Sequence, residues 1–167
     1  MLKEIGDNLY YFKAKLVDDD IDSDNERFTR DAVRKMADMF IGKVGLVPPK
    51  VTQICSTASM RIFDTELRLS DSGALELIAL ISVRLNTASQ AIQIERYLST
   101  HQELSVSCSV LFRTCSICGK NVLKEHCKHE KGKIYGEYTK RKCIYELSEV
   151  TDVYEWAFVE NPESEYE

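Results

Sequence analysis

Residues 103–129 read ELSVSCSVLFRTCSICGKNVLKEHCKH. The first half alternates: Leu104, Val106, Cys108 and Val110 interleave with Ser105, Ser107, Ser109 and Leu111. An apolar/polar period of two marks a half-buried strand, with three serines on one face. The second half is a cysteine cluster, Cys115-Ser-Ile-Cys118-Gly119-Lys120 followed by Cys127-Lys-His129. One segment therefore offers both a nucleophile position and a metal position.

The chain of 167 residues suits one domain with a small appendage, and it is long enough to bury a substantial core. Its net charge of −5 argues against nucleic-acid binding by the chain as a whole. The longest apolar run, Ala74 to Val83, is too short to span a bilayer. The N-terminal MLKEIGDNLYYF carries acids and lacks the basic-then-apolar order of a signal peptide. Six cysteines would make three disulfides in a secreted protein; without an export signal, reduced thiols in a cytoplasm are expected, and clustered ones point to metal.

Working outward, Leu9 to Val17 reads as a strand that runs into the acidic loop Asp18 to Asp24. That loop resembles a calcium-binding loop in Asp20, Asp22, Asp24 and Asp31. However, Asn25 stands where the sharp-turn glycine belongs, and Asp31 is shorter than the usual bidentate Glu, so a solvated loop is expected. Thr29 to Phe40 reads as a helix capped by Thr29, with Val33, Met36, Ala37 and Phe40 as its buried stripe and Gly42 as its stop. Pro48 and Pro49 disfavour a central strand after Gly45. Ser59 to Leu69 reads as a strand, Asp71 to Gly73 as a turn, and Ala74 to Leu85 as a strand buried on both faces. Ser89 to Thr100 reads as a helix capped by Ser89 with Ile92 and Leu98 inward. Lys142 to Ser148 and Val153 to Val159 read as two closing strands, and the acidic tail 160–167 as frayed.

The cysteine spacing is C-x2-C-x8-C-x-H: Cys115, Cys118, Cys127 and His129, with Cys143 and His126 as reserve ligands. A C-x-x-C loop aims two thiolates at one ion, and Gly119 lets the backbone turn. Zinc favours such sulfur and nitrogen sets in closed tetrahedral sites, so a structural Zn2+ is expected. The alternatives are reduced thiols or a Cys115–Cys118 disulfide. A redox C-x-x-C is disfavoured, because no strand-to-helix context follows.

In order and spacing, the segments LVDDDIDSDNERFTRDAVRKMADMFIGKVG, RIFDTEL, ELSVSCSV, CSICGK with its C-x-H, and TDVYEWAFVENP resemble the prohead proteases of tailed phages and prophages, in a cysteine-containing branch. These are capsid maturation serine proteases. The resemblance covers nearly the whole chain. It implies one α+β domain, 1–167, with a compact β-barrel-like fold related to herpesvirus assembly proteases and two main helices. Residues 113–143 would form a cysteine-rich zinc-binding insertion. It further implies a place in the host cytoplasm within assembling proheads, with the major capsid protein and scaffold protein as partners; the acidic charge and the lack of a spanning segment add the expectation of no membrane and no direct nucleic-acid contact, and a homo-oligomer is a further possible assembly.

By the same resemblance, Ser105 falls at the nucleophile position, in Ser105-Val106-Ser107 where the family has S-[VI]-G. Glu155 matches an acidic position of the closing strand. Pro49 stands where the family places its histidine. A serine hydroxyl needs an adjacent base, and proline supplies none. His126 and His129 belong to the expected metal region, His101 lies four residues before Ser105, and Lys50 would need strong desolvation to act. Three functions follow: a catalytically impaired head morphogenesis protein, an active serine endopeptidase with another base, or a zinc-stabilised binding module outside capsid assembly.

Overall fold

The computed structural model describes residues 1–46, 48–55, 60–100 and 104–159. His101 and the acidic tail 160–167 lie outside the described residues.

The fold is mixed α/β and mostly strands. Strand β1 (Lys3–Gly6) turns through Asp7 and Asn8 into β2 (Leu9–Asp18). Both turn residues have positive φ, 42° and 64°, a conformation that Asp and Asn tolerate and that suits the twist of a two-residue hairpin. After the acidic loop come β3 (Glu26–Phe28) and helix α1 (Arg30–Met39). Thr29 caps α1 by accepting the Ala32 N–H, and Val33, Met36 and Phe40 are fully buried, as the apolar stripe predicts.

Next are the two-residue β4 (Gly45–Leu46) and the one-turn α2 (Pro49–Thr52). Pro49 occupies the first helical position, where its missing N–H costs nothing. Strand β5 (Arg61–Leu69) pairs with β6 (Leu75–Arg84), and β6 pairs with β2. The first sheet is thus β1-β2-β6-β5. Leu77, Ala79, Ile81 and Val83 point from β6 into the core. On its other face Ile78 is buried, but Glu76, Leu80 and Ser82 are only partly covered, so the expected burial on both faces holds at Ile78 and not along the whole strand. The strand is antiparallel to both neighbours, and such a sheet can leave one face toward water.

Helix α3 (Ala88–Thr100) corrects two further expectations. Its cap is Thr87, not Ser89: Thr87 Oγ1 accepts the Gln90 N–H, and Gln90 Oε1 reaches back to the Thr87 N–H. This reciprocal capping box satisfies two orphan donors at once, which Ser89, already the second residue of the helix, cannot do. The inward face is Ala91, Ile94, Tyr97 and Leu98, at helical spacing; Ile92 lies off that line and is exposed.

The second sheet is built on β10 (Tyr145–Phe158). On one edge it takes β7 (Leu104–Cys115) antiparallel along its whole length; on the other it takes β3 near its start and β4 near its end, both parallel. The two expected closing strands are therefore one. Glu149 at φ 53° and two register shifts bend β10 locally, but pairing with β7 carries the strand through the bend. The connection from β7 to β10 forms a small lobe containing the ribbon β8 (Ile134–Tyr135) with β9 (Arg141–Lys142). No helix among the described residues is long and apolar enough to cross a membrane.

Candidate metal centre and the Ser105 face

Both sites named by the sequence lie on β7, at opposite ends. At about 3.3 Å per residue, those ends are roughly 30 Å apart.

At the far end, Cys115 closes β7 and the chain turns back at once. The Gly119 N–H donates to the Cys115 carbonyl, and Gly119 takes φ 73°, which only glycine adopts freely. Asn121 then clips the turn to the strand. Its Oδ1 accepts the N–H of Arg113 and Leu123, and its Nδ2 donates to the Leu111 carbonyl. This buried amide was not singled out in the sequence; a polar residue just past a C-x-x-C-G turn is its only signal.

The lobe brings Cys115, Cys118, Cys127 and His129 together, with their donor atoms all within 4.8 Å of one another. Cys118 Sγ lies 3.5 Å from Cys127 Sγ. His129 Nδ1 lies 3.6 Å from Cys127 Sγ and 3.8 Å from Cys115 Sγ. A tetrahedral ion with metal–sulfur bonds of about 2.3 Å has edges of about 3.8 Å, so these separations fit four ligands around one centre. The four residues could hold a metal ion.

The electrostatics favour thiolates at two of the cysteines. Burial pushes the Cys115 thiol up, but the backbone N–H groups of Cys118 and Ile117 on its sulfur outweigh this and bring it down to about 7. The Lys120 N–H lowers Cys118 in the same way. Cys127 accepts the His129 N–H at 3.3 Å, yet desolvation and the neighbouring sulfurs raise it overall. Cys143, a reserve ligand in the sequence, sits fully buried 3.7 Å from Cys115 Sγ but is not one of the four; burial and the Cys115 sulfur push it up to about 11. His126, the other reserve, lines an open groove beside the cluster rather than joining it.

The lobe is anchored to the body by Glu26 of β3. Its carboxylate takes Arg113 from β7 and Lys131 from the lobe, and both cations also lie over the Tyr145 ring. His129 packs edge-on against Tyr135, 4.7 Å between centroids, so its ring orientation is fixed by the ribbon.

At the near end, Ser105 lies opposite Ala157 of β10, and Ala157 lies opposite Leu46 of β4. Ser105 and Ser107 are exposed, while Leu104, Val106 and Cys108 pack against the core, as the alternation predicts. Glu155 pairs with Ser107. Trp156 and Phe158 point inward, so Ser105, Ser107 and Glu155 share the outer face. Pro49, three residues after Leu46, starts α2 near the same end of the sheet. Lys50 is exposed and so lacks the desolvation a lysine base requires. His126 and His129 are at the other end of β7.

Three carboxylates of the acidic loop are engaged by protein groups. Asp19 takes Arg30 and the Leu75 N–H, Asp22 takes the Glu26 N–H, and Asp18 takes the Asp20 N–H. Among the described residues, the cysteine–histidine set is the one group of three or more ligand-type side chains with metal-binding proximity. No family model matches the chain, and no curated protein and no solved structure matches it significantly.

Proposed function

We propose that this chain is a zinc-stabilised head morphogenesis protein of the prohead protease type that has lost efficient catalysis and acts in capsid and scaffold assembly by binding. The three-sulfur, one-nitrogen donor set supports zinc, whose closed four-ligand sites take such ligands. Four protein ligands leave no open position for a reacting water, so the ion's role is structural. It replaces the hydrophobic core that the lobe is too small to build.

The observation that carries the rest is the row Leu46, Ala157, Ser105 across three adjacent strands. Ser105 lies two strands from Leu46, and the chain reaches Pro49 three residues after Leu46, a neighbourhood that supports reading the two as the family's nucleophile and base positions. The base position holds proline, Lys50 is exposed, and the described histidines lie at the opposite end of β7. A serine without a base forfeits most of its reactivity.

The test is co-expression with a tailed-phage major capsid protein and scaffold protein, followed by affinity capture and intact-mass analysis. Association with both partners at full mass is expected. No association with either would overturn the assembly reading. Truncated partners that regain full length with Ser105→Ala would replace it with an active endopeptidase.

A further inference from the structure

The net charge of −5 hides a division. Residues 113–143 carry nine Lys and Arg against three Glu, a net of +6, so the rest of the chain stands at −11. A dication held by three thiolates adds −1, which leaves the lobe strongly basic.

Among the described residues, three of those nine cations have acidic partners: Arg113 and Lys131 on Glu26, and Lys133 on Glu130. Lys128, Lys140, Arg141 and Lys142 are exposed and have no acidic partner among the described residues. Their placement is not random. An open groove of about 510 Å³ beside the metal cluster is lined by Lys120, Lys128, His126 and His129, with Glu125 its one acid. His129, also in its wall, packs on Tyr135, and Tyr135 belongs to the ribbon whose turn and second strand carry Lys140, Arg141 and Lys142. At the tip of that ribbon Tyr138 is 97% exposed, with its aromatic face unused.

From this juxtaposition we infer that the metal lobe binds single-stranded nucleic acid, its phosphates along the groove and ribbon cations and a base against Tyr138. Unpaired cations on a rigid surface release counterions when they meet phosphates, and an exposed ring supplies a stacking platform that any base can use. A polyacidic protein segment has the matching charge but nothing to lay on the ring. An acidic body behind the lobe repels the phosphate chain elsewhere, which confines binding to this face. The inference is independent of the capsid reading: oligonucleotide binding and capsid association are separate measurements, and either can fail alone.

The test uses the metal-loaded full chain and a labelled single-stranded oligopyrimidine, followed by fluorescence anisotropy across a salt series. Binding should weaken with salt, with a log–log slope near −3 for about four phosphate contacts. Lys128→Glu combined with Lys140→Glu and Arg141→Glu should weaken binding at least tenfold and flatten the slope. Lys35→Glu, exposed on α1, should change neither. Tyr138→Ala should cost about tenfold with the slope unchanged. Metal content and circular dichroism of each variant establish that it is folded. The proposal is overturned if the unmodified chain shows no salt-dependent binding, if the triple variant binds as tightly, or if polyglutamate or phosphatidylserine vesicles displace the label better than unlabelled oligonucleotide. An unchanged affinity in Tyr138→Ala would remove the stacked base, and with it the preference for single strands.

Discussion

Cys143 holds its sulfur 3.7 Å from that of Cys115, both side chains are buried, and yet only Cys115 belongs to the four-donor group. The difference is testable, because a ligand and its neighbour fail differently. Cys118→Ser should lose the metal, lower the melting temperature by several degrees or more, and leave the lobe open to protease, since metal binding and folding are coupled there. Cys143→Ala should keep about one metal per chain and cost about 1–2 kcal/mol, the usual range for trimming a buried side chain. Elemental analysis of both proteins decides the assignment. Metal lost from Cys143→Ala but kept in Cys118→Ser would exchange their roles.

Metal retention should depend on pH in a definite direction. Each thiol must lose its proton to bind, so protons compete with the ion and apparent affinity falls as pH falls. Cys115, held at about 7, is partly ionised near neutrality, and the Lys120 N–H lowers Cys118 from the ordinary thiol value. Cys127 is raised by desolvation and the neighbouring sulfurs, so it holds its proton against the ion more strongly. Chelator competition between about pH 6 and about pH 8 should therefore show steadily tighter binding toward the alkaline end. Flat affinity across that range would exclude thiolate ligation.

Gly45 and Trp156 sit closer than any other residue pair would allow. A Cβ on Gly45 would fall 2.3 Å from the Trp156 ring, whose indole N–H donates to the Lys43 carbonyl 3.3 Å away. The ring is fully buried among core side chains and cannot retreat. Gly45→Ala should thus destabilise by about 1–3 kcal/mol, as overpacking does, while leaving metal content unchanged. Urea denaturation measures the first and elemental analysis the second. A neutral result would mean that β4 can slide along β10.

How far the sequence could be read depends on the range of the interaction. Periodicity exposed β2, α1, β5 and the serine face of β7, because burial of one face is written locally in i, i+2 or i, i+4 spacing. The cysteine cluster was legible for the same reason: three of its four ligands fall in two short loops. Hidden were the features made by distant partners. Thr87 caps α3 only because Gln90 reaches back, and β10 continues through Glu149 only because β7 lies alongside it. Glu26 gives no local sign that Arg113 and Lys131 will converge on it. The division of charge was present in the sequence, but a whole-chain sum averages it away.

The last prediction concerns Ser105 and the proline that faces its end of the sheet. Pro48 is the N-cap of α2 but makes no side-chain cap, and Pro49 follows at the first helical position. Neither can take a proton from a hydroxyl, and losses on the order of a thousandfold or more follow from a missing base. Unmodified protein incubated with capsid and scaffold chains should leave all of them intact, and Ser105→Ala should look the same. Pro48→Asp with Pro49→His is the informative gain-of-function variant. Asp suits an N-cap, because its carboxylate can accept the free N–H groups of the next turn, so the helix should survive the change. The new imidazole would then start α2 near the strand end that carries Ser105 and Glu155. Weak cleavage that vanishes on adding Ser105→Ala is the expected result, since the backbone around two former prolines need not hold the ring at hydrogen-bond distance. Robust, Ser105-dependent cleavage by the unmodified chain would show that another group already serves as base, and the impaired-protease reading would fall.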